Sequence, residues 1–154
     1  MKTKIIFTFL LLFVLISCDK SQVYNEFTLL PENHRWEKSE AKNYEFTISD
    51  DSKLYDLNFK FSHVYDYQFA SVPINFVIEN PSGEKEKFSI DLQIKDASGK
   101  ELADCAGDIC DLTFKVKEAV TLSKGTYKVT ISNSFKGPYL PNVIGVGLSV
   151  KIAK

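Results

Sequence analysis

The sequence predicts an all-β protein, an antiparallel β-sandwich of about 7–8 strands behind an N-terminal export signal. Three observations carry this expectation. Apolar and polar residues alternate in segment after segment, as in a strand with one face in a core and one in water. Turn sequences rich in Gly, Pro, Asn, Asp and Ser separate these segments at near-regular spacing. No helical period lasts beyond one or two turns after the signal. Two antiparallel sheets packed face to face accommodate such a chain. Parallel βαβ units would need strands apolar on both faces. Alternation does not encode strand order, so jelly-roll and immunoglobulin-like sandwiches both fit.

Residues 2–18 come first. Lys2 and Lys4 precede an apolar run, residues 5–16, and Ser17-Cys18 closes it. A basic flank, an apolar core and a small residue before a boundary make a secretory signal. The run is shorter than the ~20 residues of a spanning helix, which leaves an uncleaved anchor helix as the weaker alternative. Leu15-Ile16-Ser17-Cys18 resembles the lipobox of bacterial lipoproteins. That resemblance implies residues 1–17 as a signal peptide, cleavage before Cys18, and acyl chains such as palmitate on Cys18. No cofactor is expected besides this covalent lipid. Two or more acyl chains anchor a protein stably in a membrane.

Residues 18–40 are expected to be a lipid-anchored leader that holds the domain off the membrane, and residues 41–154 the sandwich. Pro31 interrupts the leader, and Trp36 is the single Trp. A Trp here plugs the edge of a core or, alternatively, stands exposed as a ligand platform. Tyr44, Phe46 and Ile48 then alternate with polar residues up to the turn Asp50-Asp51-Ser52. Tyr55, Leu57, Phe59, Phe61 and His63 share one face of the next strand. His63 is thus expected as a hydrogen-bonded residue at a strand end rather than a ligand or base. An aromatic connection, residues 64–71, leads to a strand over residues 72–79. Asn80-Pro81-Ser82-Gly83 turns the chain into Phe88, Ile90, Leu92 and Ile94. After Asp96-Ala97-Ser98-Gly99 and a two-cysteine loop, Leu112, Phe114 and Val116 alternate. Ser123-Lys124-Gly125 turns into Tyr127, Val129 and Ile131, and the last strand spans residues 143–152.

The processed chain of 137 residues would carry 17 basic against 20 acidic groups, a formal charge of −3. One ordinary domain of this size buries enough surface to fold without metal. A mildly acidic, mixed-sign chain gives no footprint for nucleic acid. With Cys18 assigned to lipid, Cys105 and Cys110 form an even pair in an oxidising compartment. The four residues between them let the chain turn back, so a local disulfide is expected. A metal site on Asp104, Cys105, Asp108, Cys110 and Asp111 is the weaker alternative, for no nearby His supports it.

Chemistry is hard to place on this chain. His34 and His63 are the two histidines, and no HExxH, GxSxG, SxxK, P-loop or Rossmann spacing occurs. No catalytic residue, metal site or small-molecule substrate is expected. The aromatics Trp36, Tyr65, Tyr67, Phe69 and Tyr139 are candidates for a partner-binding surface. The alternative is that they plug the ends of the sandwich.

Several of these features together resemble the gliding-motility lipoprotein H (GldH) family of Bacteroidetes. The match begins at Ser17-Cys18-Asp19 and Val23-Tyr24-Asn25-Glu26-Phe27, with Trp36 at the family's early Trp. It continues through Tyr65-Asp66-Tyr67-Gln68-Phe69, Gly125-Thr126-Tyr127-Lys128-Val129-Thr130-Ile131 and residues 140–148. Three departures stand out. Ala70-Ser71-Val72 replaces an Asn-Leu pair, Ser132-Asn133-Ser134-Phe135-Lys136 replaces a Gln-x-Met-Arg-like stretch, and Gly145 replaces an acidic residue. The two-cysteine loop is not part of the family pattern.

The resemblance implies a non-enzymatic lipoprotein serving gliding and the linked type IX secretion machinery, with protein partners there. It implies the outer membrane, held by acyl chains. Residues 19–22 carry one acid rather than an acidic run, so a periplasm-facing anchor is expected. A surface glycan-binding sandwich is the alternative, and it predicts coplanar exposed aromatics lining a groove.

Overall fold

The structure, a computed structural model, describes residues 20–154. The signal segment and Cys18 lie outside the described residues. Eleven strands follow in chain order: β1 (Gln22–Leu29), β2 (Trp36–Glu37), β3 (Lys42–Ile48), β4 (Leu54–Val64), β5 (Ser71–Glu79), β6 (Lys85–Gln93), β7 (Asp104–Ala106), β8 (Ile109–Thr121), β9 (Gly125–Asn133), β10 (Tyr139–Leu140) and β11 (Val143–Ile152). Seven of them, β3–β6, β8, β9 and β11, arise where the alternation places them. The others are β1 and three pieces of two or three residues.

The strands form a five-stranded sheet, β1-β11-β4-β8-β7, and a four-stranded sheet, β3-β9-β5-β6, with a small ribbon of β10 and β2. Every pairing is antiparallel. Consecutive long strands switch sheets at each connection except the β5–β6 hairpin. Eight long strands interleaved in this way make a jelly roll, which resolves the choice left open by the sequence. The segment expected as a leader thus contains β1, one of the eight. β1 pairs with β11 from Gln22 to Leu29, so few residues separate the sandwich from Cys18.

The core follows from the alternation. Phe59, Leu57 and Phe61 of β4 face Ile74 and Phe76 of β5, all buried. Phe59 and Phe76 meet edge to face across the two sheets at 5.5 Å. On one side the sandwich is closed by the Tyr44 hydroxyl, which donates to the Val146 carbonyl at 2.9 Å. On the other side Lys117 pairs with Glu86 and lies 5.0 Å over the Phe88 ring.

Three turns use one device. The side-chain oxygen of Asp50, Asn80 or Asp96 accepts the amide and hydroxyl of the Ser two residues on. The Ser52 hydroxyl, the Ser52 amide and Lys53 hold the Asp50 carboxyl down at about 2. Its folded value lies below its unfolded one, so the turn is fully tied above about pH 4 and released as pH falls through the folded value. An NMR titration of the Ser52 amide should show its midpoint near 2. A midpoint at the ordinary carboxylate value would contradict this.

Glycines set how closely β1 lies on β11. A Cβ at Gly147 would stand 2.5 Å from the Glu26 carbonyl and 2.9 Å from the Phe27 ring. Neither neighbour is the free end of a flexible chain. Gly147→Ala should therefore push β1 outward, at a cost of about 1–3 kcal/mol. Thermal melts and amide exchange across β1 would read the effect, and unchanged exchange would refute it.

Candidate functional site

β1 starts four residues after Cys18, the residue expected to carry lipid, and the end of the sandwich where β1 starts is the anchor end. The turns at residues 49–53, 80–84 and 122–124 share that end. Four connections gather at the far end: residues 30–41, 64–70, 94–108 and 134–142. Backbone hydrogen bonds sew them together. Val64 N–H donates to Asn142 O, Tyr65 N–H to Asp108 O, Leu102 N–H to Ile94 O, and Val143 N–H to His34 O. Three non-glycine residues there, His34, Asp66 and Asn142, sit at φ of 52–58°. Those side-chain types tolerate this region best.

Trp36 is the hub of the far end. It is fully buried, its indole N–H donates to Glu40 O at 2.9 Å, and its own carbonyl accepts from Asn133 Nδ2 at 3.1 Å. Trp36 is thus a core plug and presents no face to a ligand, which corrects its candidacy as a binding residue. Tyr67 is corrected likewise. It is buried, 4.7 Å from the His63 ring centre, with its hydroxyl on Pro141 O at 3.0 Å. Burial raises that hydroxyl above its ordinary pKa, so it acts as a donor. Phe69 packs between Tyr67 and Phe135 and is half-buried. Tyr139 is half-buried beneath Arg35, whose guanidinium lies 4.4 Å from the ring centre.

Tyr65 stands apart, 61% exposed. The left-handed Asp66 that follows it breaks the strand geometry, so Tyr65 points to water while Tyr67 turns in. Next to Tyr65, the two-cysteine loop is a hairpin. Cys105 of β7 faces Cys110 of β8, and the two are joined by a disulfide. Both thiols are therefore engaged in this bond. Gly107, at φ 62°, permits the two-residue turn. Ile109 pairs with Val64, the neighbour of Tyr65, and is 45% exposed. Leu102, on the preceding loop, is 47% exposed. Asp66, Asp104, Asp108 and Asp111, each within two residues of Tyr65, Leu102 or Ile109 in the chain, are exposed, and Lys95 lies 3.7 Å from Asp66. The far end thus exposes three large apolar residues, Tyr65, Leu102 and Ile109, on connections held by a disulfide-stapled hairpin. Sequence reasoning missed Leu102 and Ile109, for nothing in their spacing separates them from core positions.

His63 is sealed at this end of the sandwich. It is fully buried, with Nδ1 2.9 Å from Val64 O and Nε2 3.5 Å from the Glu101 carboxylate. That separation and geometry make no hydrogen bond, leaving Nε2 without a partner. With no exposed surface, His63 contacts no substrate in this conformation. At the anchor end, a groove of about 560 Å³ opens between the sheets, floored by Leu57, Ile78, Val120 and Tyr127 and rimmed by Lys85 and Lys117.

The family model for the GldH lipoprotein matches residues 22–150. The chain belongs to the GldH lipoprotein family. The match runs from the first residue of β1 to Val150 of β11, and it opens four residues after Cys18. One relative is "Gliding motility lipoprotein GldH homolog" of Christiangramia forsetii, 28% identical over 85% of this chain and 80% of its own. Another is "Gliding motility lipoprotein GldH" of Flavobacterium johnsoniae, 27% identical over 80% of this chain and 76% of its own. Among solved structures, "CBM35 from Cellvibrio japonicus Abf62" aligns with TM-score 0.36 and 10% identity, over 85% of this chain and 99% of its own. At that level the likeness carries no argument about ligands. The far-end hairpin and its disulfide lie inside the GldH-family region.

Proposed function

We propose that this GldH-family chain is a non-enzymatic assembly component of the gliding apparatus and the linked type IX secretion machinery. It is held by acyl chains on Cys18 in the outer membrane, facing the periplasm. It works by docking a protein partner on the far-end patch of Tyr65, Leu102 and Ile109. The observation that carries this reading is the pairing of exposed large apolar residues with a rigid, disulfide-stapled support. Exposed apolar residues that gather at one site rimmed by polar groups mark interaction surfaces, and interface anchors are typically aromatic or aliphatic groups in such a rim. The exposed aspartates close to these residues in the chain ask for a partner with a basic border around an apolar centre.

A glycan-binding role needs coplanar exposed aromatics along a groove. Among the described residues at this end, Trp36 and Tyr67 are buried and Tyr139 is half-covered by Arg35. Tyr65 is left without an exposed aromatic neighbour to complete a stacking row. The docking reading is therefore favoured.

The test is complementation of a deletion strain in a gliding bacterium with the double variant Tyr65→Asp, Ile109→Asp. Both sites are exposed, so the melting temperature should hold. Colony spreading and secretion of surface adhesins should be lost. Normal spreading and secretion with the variant would overturn this surface, and a deletion strain that spreads and secretes normally would overturn the role itself.

A further inference from the structure

β1 is an edge strand with an apolar outer face. Tyr24 packs toward the core, 5.9 Å from the Phe46 ring, while Val23, Asn25, Glu26, Phe27 and Leu29 are exposed. Val23, Phe27 and Leu29 are 38, 40 and 71% exposed, and Leu29 is the most exposed large apolar residue among those described. Elsewhere in the sandwich the long strands turn their apolar side to the core. The fold also keeps this face bare. Phe27 lies flat over Gly145 and Gly147 of β11, where any side chain would collide with its ring. Lys60 of β4 reaches across to Asn25 at 2.6 Å, so the apolar row has a basic and amide border.

We infer that the outward face of β1 is the surface on which the protein lies against the lipid bilayer, with Val23, Phe27 and Leu29 at the headgroup–acyl boundary. The inference rests on the acyl anchor at Cys18 proposed above. The occupant follows from where the chain outside the structure ends. From Cys18 to Gln22 the backbone spans at most ~14 Å, so an acylated protein keeps the start of β1 at the membrane surface whatever else it binds. β1 then runs about 25 Å to Leu29. A sandwich standing on its anchor end would hold Leu29 that far out in water. One lying on β1 buries all three apolar side chains in the interface, as amphipathic surface segments do. Lys60 is then placed to meet lipid phosphate. In this posture the far-end patch points along the membrane, free to meet a neighbouring envelope protein.

The test uses the mature acylated protein in vesicles of phosphatidylethanolamine and phosphatidylglycerol. Mass spectrometry of the N-terminal peptide first establishes the acyl chains on Cys18. An environment-sensitive fluorophore such as NBD is placed at Leu29→Cys and, as a control, at Ser89→Cys on the exposed side of β6. Val23→Cys supplies a second position on β1 should the first variant melt early. The expected result is a blue-shifted, severalfold brighter emission at 29 with loss of iodide quenching, and no change at 89. Equal water exposure at both positions in the acylated protein overturns the inference and leaves the anchor standing. A probe at 29 that is protected in cells but bare on vesicles assigns the face to a protein partner and likewise overturns it. A Cys18 without acyl chains overturns the anchor and this orientation together.

Discussion

Trp36→Ala is expected to lower the melting temperature by about 10–20 °C, through a loss of about 3–5 kcal/mol. The indole is fully buried at the junction of the far-end connections. Removing it leaves a cavity against the small β2–β10 ribbon, where Leu140 pairs with Trp36 itself. It also strips the Glu40 carbonyl of its indole donor. The ribbon is only two residues long on each side, so little remains to hold residues 30–41 in place. Trp36→Phe should recover most of the packing but not the hydrogen bond. A calorimetric melt of the three proteins checks this. An alanine variant that melts within a degree or two of the parent would return Trp36 to the status of a surface residue.

Cys18→Ser is expected to abolish function while leaving the sandwich intact. The described fold begins at β1, after Cys18 in the chain, and a Ser for Cys exchange there changes no residue of the sandwich, so the melt should not move. What changes is location. Without acyl chains the domain leaves the membrane, and the far-end patch no longer meets its partner at a membrane surface. Colony spreading of the complemented deletion strain should fall to the level of the deletion. Full spreading by the soluble form would show that the anchor is dispensable.

Much of this fold was legible because the physics of a half-buried strand leaves a period of two in the sequence. β4 is the clear case: Tyr55, Leu57, Phe59, Phe61 and His63 all point inward as the alternation requires. β1 escaped for the opposite reason. Val23, Phe27 and Leu29 face outward and only Tyr24 packs on the core, so an alternation rule that assigns apolar positions to the core finds no strand there. The extension of β8 past Val116 was hidden by the left-handed Ala119, whose bulge resets the inward and outward positions. β2 and β10 are too short to carry any period. At the candidate site, the hairpin of Cys105 and Cys110 could be anticipated from spacing. The opposite fates of Tyr65 and Tyr67 could not, because they depend on one backbone angle at Asp66. His63 was readable as a strand-end histidine, but its approach to Glu101 depends on a loop with no regular pattern.

The most direct measurement is site-specific photo-crosslinking in living cells, with a benzoyl-phenylalanine at Tyr65 and a control at Ser89 on the outer side of β6. Docking through the far end predicts a discrete crosslinked envelope protein from position 65, none from position 89, and loss of the adduct in the Cys18→Ser background. No adduct from position 65 in cells that glide normally, or the same adducts from both positions, would contradict it.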